Sequence, residues 1–372
     1  MKKQIPVNAP DLSGNEKKYL AECIDSGWIS SEGPFVKELE ERFALKMGRK
    51  YGIAVCNGSV ALDAAIIALG IQAGDEVIMP SFTIISCASA IVRAGGIPVL
   101  VDSDPITWNM DPTAIEKRIT ARTKAIMVVH IYGLPVDMDP ILHLAQKHSL
   151  KIIEDAAEEF GQTYRGKPVG SFGDVSCFSF YSNKHITTGE GGMIATDSEK
   201  IAEHCRSLRN LCFNPARRFR HEEIGNNFRM TNFQAAIGLA QLERFDQFIL
   251  KKRHIGQVYN QHLQGNPHLD FMPAETEYAK NIYWVYGVVL KDHVNFDAEE
   301  AIKRLQSAGI GCRPFFWPMH EQPIFQKMNL FSDEFHPVAE RIARRGFYIP
   351  SGLTITDEEM GIVADELKAI FK

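Results

Sequence analysis

Short runs of Val- and Ile-rich residues alternate with helix-length segments from residue 51 onward. The runs are YGIAVC (51–56), DEVIMP (75–80), IPVLVD (97–102), KAIMVVH (124–130) and LKIIED (150–155). A short continuous apolar run indicates a strand that is buried on both faces, and strands that alternate with helices form a parallel sheet covered by helices. The sequence therefore predicts an α/β fold with a large, mostly parallel sheet.

The pattern changes after the strand-like segment at 191–197. Residues 232–257 predict one long helix. Beyond about residue 250, a strand in IYWVYGVVL is followed by helical patterns at 297–309 and near the end of the chain. We expect a large α/β domain over residues 1–250, which includes an N-terminal arm, and a smaller α+β domain over residues 251–372.

Composition and charge narrow the class of protein. The chain has 372 residues, of which 45% are hydrophobic, and a formal net charge of -5. This acidic balance argues against nucleic acid or an anionic membrane as a general partner. The start, MKKQIPVNAP, has no apolar stretch after its lysines, and no apolar run approaches ~20 residues, so we expect a cytoplasmic protein. The cysteines are scattered without a CxxC pair, which predicts reduced thiols and no metal.

Polar residues follow two of the predicted strands, where open α/β sheets form their sites. Asn57, Gly58 and Ser59 come after the first strand and begin a helix. The free amides of a helix N-terminus suit a phosphate, although a simple helix cap explains the same residues. Asp155 ends the strand KIIED. A buried carboxylate needs a positive partner, such as a protonated pyridine nitrogen, unless it caps a helix.

A lysine and a histidine, Lys184 and His185, stand between the strand-like VSCFSFY and a glycine-rich stretch. A partly desolvated lysine has a lowered pKa, so that its amine attacks carbonyl groups; the alternative is an exposed loop lysine. A phosphate cup, an anion and a reactive lysine are together what pyridoxal 5′-phosphate requires. No GxGxxG follows the first strand, so a dinucleotide cofactor is not indicated.

Several longer segments resemble the DegT/StrS family of sugar-nucleotide aminotransferases. They are IEDAAEEFG, GSFGDVSCFSFYSNKHITTGEGGMIATD and GNNFRMTNFQAAIGLAQLER, and further similar segments near the start, middle and end extend the resemblance over nearly the whole chain. The resemblance implies the fold of the type I, aspartate-aminotransferase-like enzymes that depend on pyridoxal phosphate. It also implies a homodimer with shared active sites.

The resemblance assigns roles to matching positions. It makes Lys184 the catalytic Schiff-base lysine and Asp155 the catalytic partner of the pyridine nitrogen. The implied cofactor-binding residues are Gly58, Ser59, Ile84, Asp155, Glu158, Ser179, Lys184 and Asn227, the last reaching the cofactor of the other subunit. Ile84 stands where relatives often carry an aromatic residue. In one branch of the family, the sugar 3-dehydratases, histidine replaces the lysine, so Lys184 favours transamination.

The resemblance also implies the substrates. They are L-glutamate as amino donor and a nucleotide-diphosphate keto sugar as acceptor, aminated at C4 of a 4-keto-6-deoxyhexose for surface glycan or O-antigen. GDP, UDP and dTDP remain alternatives for the nucleotide. Arginine suits a diphosphate, although a solvated basic loop explains the cluster at 217–220 equally well. The candidate substrate contacts are Trp28, Ile29, Ser30, Arg217, Arg218, Arg220, Arg313 and His320.

Three other functions remain as alternatives to this one. A cyclitol aminotransferase would need no arginine cluster, because its substrate lacks a diphosphate. A sugar 3-dehydratase of the same fold would carry histidine in place of Lys184. A non-catalytic regulator that kept the fold would have no need of both Lys184 and Asp155.

Overall fold

The structure, a computed structural model, describes residues 4–214 and 216–371. Its strands in chain order are β1 Tyr51–Val55, β2 Glu76–Pro80, β3 Ile97–Val101, β4 Thr123–Val129, β5 Lys151–Asp155, β6 Thr163–Tyr164, β7 Lys167–Pro168, β8 Val175–Ser179, β9 Gly192–Thr196, β10 Leu269–Asp270, β11 Tyr286–Leu290, β12 Arg313–Pro314 and β13 Gly346–Ile349.

Helices pack against both sheets. In chain order they are α1 Glu16–Ser26, α2 Pro34–Met47, α3 Gly58–Ala68, α4 Ile85–Arg93, α5 Met138–His148, α6 Glu199–Arg209, α7 Asn232–Glu243, α8 Phe245–Leu263, α9 Ala298–Ser307, α10 Pro323–Lys327, α11 Pro337–Arg345 and α12 Asp357–Ala369. Short 3-10 turns lie at Pro112–Ala114, Glu116–Arg118 and Met319–Glu321. No helix in the described ranges is long and apolar enough to cross a membrane.

The larger sheet has seven strands in the order β1-β9-β8-β5-β4-β2-β3. Strands β2, β3, β4, β5 and β8 pair in parallel, while β9 runs antiparallel to both of its neighbours. The predicted α/β fold with a mostly parallel sheet is therefore confirmed. At the edge where β5 and β8 end, Asp155 pairs in register with Cys177, so the carboxylate lies beside the segment that leads to Lys184.

The second sheet is smaller and antiparallel, with the order β10-β11-β13-β12. The start of the chain lies against this part of the molecule, because Ile5 forms a parallel bridge with Ile310 and packs in the same apolar cluster. The expected domain boundary at residue 250 falls inside α8. That boundary stays a prediction.

The long helix predicted over 232–257 is wrong, because the chain forms two helices there. Helix α7 ends at Glu243 and α8 begins at Phe245, and Arg244 between them has non-helical backbone angles, φ -105° and ψ 8°. Helix α7 packs against α1 and α2, whereas α8 packs against α12. The break lets one apolar pattern serve two sets of neighbours, which its periodicity alone does not reveal.

The strand predicted in IYWVYGVVL is shorter than the apolar run. Strand β11 begins at Tyr286, and the preceding residues turn onto the larger sheet, where Tyr283 has a positive φ of 51°. A Cβ on Gly133 would stand 2.4 Å from the backbone nitrogen of Tyr283, so only glycine allows this approach. This turn carries Trp284 toward the cavity described below.

A buried carboxylate, Glu154, joins β5 to the loop that precedes β8. It accepts backbone hydrogen bonds from Gly170 (2.8 Å), Phe172 (2.7 Å) and Gly173 (2.6 Å), and the side chain is fully buried. Burial raises its pKa, but the hydrogen bond and charge of His130 and the amide donors outweigh burial, and the pKa is lowered overall. The charge is thus compensated, as a buried ion requires.

We expect Glu154→Gln to lower the free energy of unfolding by about 3 kcal/mol, measured by urea unfolding at pH 7. The amide group would set an N–H donor against backbone donors and leave at least one of them unpaired. The matched control is Glu116→Gln, an exposed carboxylate beside Lys147 and His148, which should leave stability nearly unchanged because solvent screens its ion pairs. Equal losses in both variants would contradict the role given to Glu154.

Candidate active site

A cavity of about 320 Å³ opens at the carboxyl ends of the central strands of the larger sheet. Loops from both parts of the chain enclose it. The residues that line it are Asn57, Gly58, Ser59, Leu62, Thr83, Ile84, Ser86, Val129, Asp155, Ala157, Glu158, Cys177, Phe178, Ser179, Tyr181, Asn183, Lys184, Glu190, Trp284, Phe316 and Tyr348.

The amine of Lys184 projects into this cavity. Its Nζ lies 3.6 Å from the centre of the Trp284 ring and 3.8 Å from Oε1 of Glu158, and the side chain is 11% exposed. Burial lowers the pKa of this lysine, and the nearby carboxylates of Glu158, Asp155 and Glu159 only partly oppose the shift. A lysine in this environment has a larger fraction of free amine, which is the nucleophilic form.

His185, the neighbour of Lys184, is not among the lining residues. Its imidazole is buried, and burial lowers its pKa well below the usual value, with further lowering by the charges of Lys252 and Lys184. A neutral, buried imidazole beside the cavity fits packing rather than contact with a substrate.

Two adjacent glutamates, Glu158 and Glu159, follow Asp155 and are buried. Glu158 accepts a hydrogen bond from the backbone of Tyr132 (2.9 Å), and Glu159 accepts one from Gly133 (2.6 Å). Burial raises the pKa of Glu158 to about 7, and the charge of Lys184 holds it from rising further. Burial and the neighbouring Glu158 raise the pKa of Glu159 well above its usual range. Glu158 is therefore able to change its protonation state near neutral pH.

Asp155 forms the inner end of the cavity. Its Oδ2 accepts a hydrogen bond from the thiol of Cys87 at 3.1 Å, and its Oδ1 accepts one from the backbone of Ala157 at 3.0 Å. The thiol of Cys87 remains a donor because burial and the charge of Asp155 raise its pKa well above the usual value. These two hydrogen bonds fix the orientation of the carboxylate, which lines the cavity.

The opposite end of the cavity is a cup of hydroxyls and backbone amides. Helix α3 begins at Gly58, where a Cβ would stand 2.9 Å from Cβ of Ser179. The hydroxyls of Ser59 and Ser86 lie 2.7 Å apart. Asn57 caps the helix by accepting a hydrogen bond from Val60 (3.0 Å), which leaves the first amides directed at the cup. This arrangement is suited to a phosphate.

The residues present fit pyridoxal 5′-phosphate. The cup at α3 would hold the phosphate, Asp155 would face the ring nitrogen, and Lys184 is the amine that would attach to the aldehyde. Ile84, which is 39% exposed and lines the cavity, is available to cover a ring face. The close contact of Gly58 with Ser179 is what a small phosphate cup requires, because any side chain at residue 58 would fill it.

An adjoining cavity of about 270 Å³ shares Tyr181, Asn183, Trp284 and Tyr348 with the first. Arg313 lines it and is the candidate substrate contact that the structure places next to the site. Its guanidinium donates to the backbone carbonyl of Cys312 at 3.1 Å. The cation therefore stands within reach of any ligand that extends from the first cavity into the second.

Four predicted residues lie away from the cavity of their own chain. Asn227 is exposed and forms an isolated bridge with Asn210. Trp28, Ile29 and Ser30 are exposed in the loop before α2, and Asn232 holds this loop through a 2.7 Å bond from its side chain to the carbonyl of Trp28. Whether these residues contact cofactor or substrate stays a prediction.

The remaining candidates do not line the cavity either. Arg217, Arg218 and Arg220 lie in an exposed loop, where the guanidinium of Arg218 stands 5.0 Å from the centre of the Phe213 ring. His320 is buried in a different cavity, and its Nδ1 and Nε2 are 2.8 Å from Ser81 Oγ and 3.1 Å from Glu340 Oε1. Both ring nitrogens are engaged in linking two parts of the chain.

Some residues of the site are not signalled by the sequence. Trp284 reads as one apolar position of a strand, yet its ring covers the lysine amine, and its Nε1 donates to the carbonyl of Asn183 at 2.9 Å. Cys87 and Ser86 lie on α4, where their pattern is that of ordinary small helix residues.

The titration of Glu158 gives a prediction for the cofactor-free protein. Because its folded-state pKa is raised from 4.5 to about 7, the protonated form stabilises the fold below pH 4.5, and this contribution is lost as the pH rises through 7. We expect the Glu158→Gln variant not to show this loss of stability with rising pH, because its amide does not titrate. Between pH 5 and pH 8 the wild type should lose on the order of 2 kcal/mol of unfolding free energy relative to the variant.

The measurement is urea unfolding at a series of pH values. Glu190→Gln is the control, because Glu190 lines the mouth of the same cavity and is exposed. If Glu190→Gln and Glu158→Gln gave the same pH dependence, the raised pKa of Glu158 would be excluded as its source.

Comparisons with known proteins agree with this geometry. Over 363 residues, covering 97% of each chain, the sequence is 46% identical to GDP-perosamine synthase of Caulobacter vibrioides. It is 41% identical to GDP-perosamine synthase of Escherichia coli O157:H7, over 99% of both chains. The fold matches the PLP form of a putative sugar aminotransferase of Streptococcus pneumoniae with a TM-score of 0.92 and 25% identity, covering 99% of this chain and 98% of that one.

The family comparison extends over almost the whole chain. Residues 10–368 match the DegT/DnrJ/EryC1/StrS aminotransferase family, so the match includes the phosphate cup, Asp155 and Lys184 together with the smaller sheet. Pyridoxal 5′-phosphate, which the cavity fits, is the cofactor of such enzymes. The chain belongs to the DegT/DnrJ/EryC1/StrS aminotransferase family.

Proposed function

We propose that this aminotransferase moves an amino group from L-glutamate to C4 of a nucleotide-linked 4-keto-6-deoxyhexose, a step that supplies an amino sugar such as perosamine for O-antigen. The observation that carries the proposal is the buried amine of Lys184, set 3.6 Å from the Trp284 ring in one cavity with Asp155. The substrate class is supported by 46% identity to a GDP-perosamine synthase over nearly the whole chain.

The chain's own residues divide the chemistry between them. Pyridoxal phosphate, when bound, supplies a ring that withdraws electrons from the carbon that loses its proton. Lys184 anchors the cofactor, and its amine, once free, takes the proton from the donor carbon and returns it as general base and acid. Asp155, held by Cys87, would keep a proton on the ring nitrogen of the bound cofactor. Glu158, which titrates near pH 7 beside Lys184, stabilises the ammonium form of that amine.

The acceptor sugar would extend into the adjoining cavity. Arg313 there offers a guanidinium for an anionic group, and Tyr181 and Tyr348 are shared by the two cavities. Arginine donors match phosphate and carboxylate oxygens in pairs. This placement favours an acidic ligand over an uncharged cyclitol.

The active enzyme is a homodimer in this proposal, with Asn227 and the loop of Trp28 facing the partner's cavity. The support is that Trp28 and Ile29 are 51% and 48% exposed, which is high for large apolar side chains. Asn227 is likewise exposed and outside its own cavity.

The first test is an absorbance spectrum of purified protein reconstituted with pyridoxal phosphate. We expect a band of lysine-bound cofactor that L-glutamate converts to the pyridoxamine form with release of 2-oxoglutarate. Lys184→Ala should lose the lysine-bound band and reduce turnover by at least about 10³-fold, because it removes both the anchor and the proton carrier. Lys167→Ala, at an exposed lysine, is the control and should behave as wild type.

A protein that binds no cofactor, or a Lys184→Ala variant with wild-type turnover, would refute the proposal. The acceptor is then identified by mass spectrometry of the product. An aminated 6-deoxy sugar nucleotide supports the proposed reaction, whereas ammonia and a 3-deoxy sugar would instead show dehydration.

A mixing experiment tests the shared site. Lys184→Ala and Asn227→Ala are purified separately, unfolded together and refolded. If Asn227 serves the partner's cavity, each mixed dimer regains one intact site, and the mixture should recover about a quarter of wild-type turnover. Each variant refolded alone is the control. No recovery in the mixture, with dimers present by size-exclusion chromatography, would place Asn227 in its own subunit's site or outside both.

A further inference from the structure

A second buried lysine, Lys252 on α8, lies behind the active site and takes no part in the chemistry described above. Its side chain is 1% exposed. The ammonium group donates to the backbone carbonyl of Trp284 at 2.8 Å and to that of Ser351 at 2.7 Å. Burial of an amine carries a large desolvation cost, and here two fixed carbonyl groups offset only part of it. The side chain thereby ties α8 to two separate segments of the chain.

One of those two segments, the one with Trp284, contacts the catalytic lysine. The Trp284 ring stands 3.6 Å from Nζ of Lys184, and its Nε1 donates to the carbonyl of Asn183, the residue before Lys184. Lys252 therefore fixes the backbone of Trp284, while the indole of Trp284 contacts both the side chain of Lys184 and the backbone next to it. A displacement of Trp284 would move the amine or expose it.

The charge of Lys252 also affects the protonation of Lys184. Burial and the charge of Lys184 lower the pKa of Lys252 to about 7. Repulsion between two ammonium groups is mutual, so a charge on Lys252 disfavours a charge on Lys184. The carboxylates of Glu158, Asp155 and Glu159 face Lys184 and favour its charged form. The positive charge of Lys252 acts against this effect of the carboxylates on Lys184.

We propose that Lys252 is a positioning residue for Lys184, acting through the Trp284 carbonyl to fix the amine in the cavity. The inference rests on the proposed function only in taking Lys184 as the catalytic lysine. Removal of Lys252 should therefore change the reactivity of Lys184 whether or not the acceptor sugar has been identified correctly.

The test compares Lys252→Met, which keeps the apolar stem and loses charge and donors, with Lys251→Met, a half-buried neighbour on the same helix. The first readout uses cofactor-free protein. A lysine-acylating reagent is added at pH 6.5, where most of Lys252 is charged because its pKa is about 7, and modification of Lys184 is followed by peptide mass spectrometry. We expect modification to slow by about threefold or more in Lys252→Met, since half a pKa unit changes the fraction of free amine by that factor. Lys251→Met should match wild type.

The second readout uses the holoenzyme. We expect Lys252→Met to lower kcat about tenfold with KM for the amino donor within about twofold of wild type, because a misplaced amine affects proton transfer more than donor binding. The midpoint of the pH titration of the lysine-bound band should also shift. Trp284→Phe and the double variant complete a cycle in which the two effects should not add, since both act through Trp284.

Three results would overturn the inference. They are an unchanged acylation rate in Lys252→Met, effects of Lys252→Met and Trp284→Phe that simply add, or equal changes in Lys251→Met. If circular dichroism shows that Lys252→Met does not fold, Lys252→Gln is used instead, because it keeps a hydrogen-bond donor but loses the ammonium charge. A wild-type acylation rate together with a wild-type titration midpoint in Lys252→Gln would equally overturn the inference. A wild type that binds no cofactor refutes the proposed function, while the acylation rate still decides the role of Lys252.

Discussion

The buried carboxylate of Glu154 is the interaction on which the geometry of the cavity depends. Its oxygens accept hydrogen bonds from three backbone N–H groups of the loop at 170–173 and so fix that loop against β5. The next residue is Asp155, whose position follows from the strand that Glu154 anchors. The following strand, β8, leads to the phosphate cup at Ser179 and then to Lys184. Charge compensation inside the sheet thus precedes and supports the chemistry at its edge.

The cavity combines groups that would be unfavourable if buried singly. The amine of Lys184 lies near the carboxyl groups of Glu158, Asp155 and Glu159, and a second lysine, Lys252, is buried behind it. Burial raises the pKa of Glu158 to about 7, and burial together with the charge of Lys184 lowers the pKa of Lys252 to about 7. A carboxyl group that changes protonation near neutral pH, as Glu158 does, is suited to exchanging a proton with the neighbouring amine of Lys184.

The sequence predicts those parts of the site that lie at strand ends. Lys184, Asp155, Gly58 and Ser59 follow predicted strands and line the cavity, because the carboxyl ends of neighbouring parallel strands must meet. Glu158, Ser179 and Ile84, which only the family resemblance indicated, line it as well. Trp284 and Lys252 were not predicted, because their placement depends on how distant segments pack. An apolar run or a helical pattern does not specify such long-range packing. Periodicity failed for the same reason at Arg244, where one amphipathic pattern serves two helices. The cluster at 217–220 was chosen for its charge, and charge alone does not locate a loop relative to a cavity.

The bridge between Ile5 and Ile310 has a consequence for the order of synthesis. Residues at the start of the chain leave the ribosome first, yet the partner of Ile5 emerges only after some three hundred further residues. The partner of Val7 is synthesised later still, because the carbonyl of Val7 accepts a hydrogen bond from the backbone of Ser351 at 3.1 Å. The larger sheet is able to form before either partner exists, because all seven of its strands lie between residues 51 and 196. The leading segment is therefore among the last parts of the chain to find its place during translation.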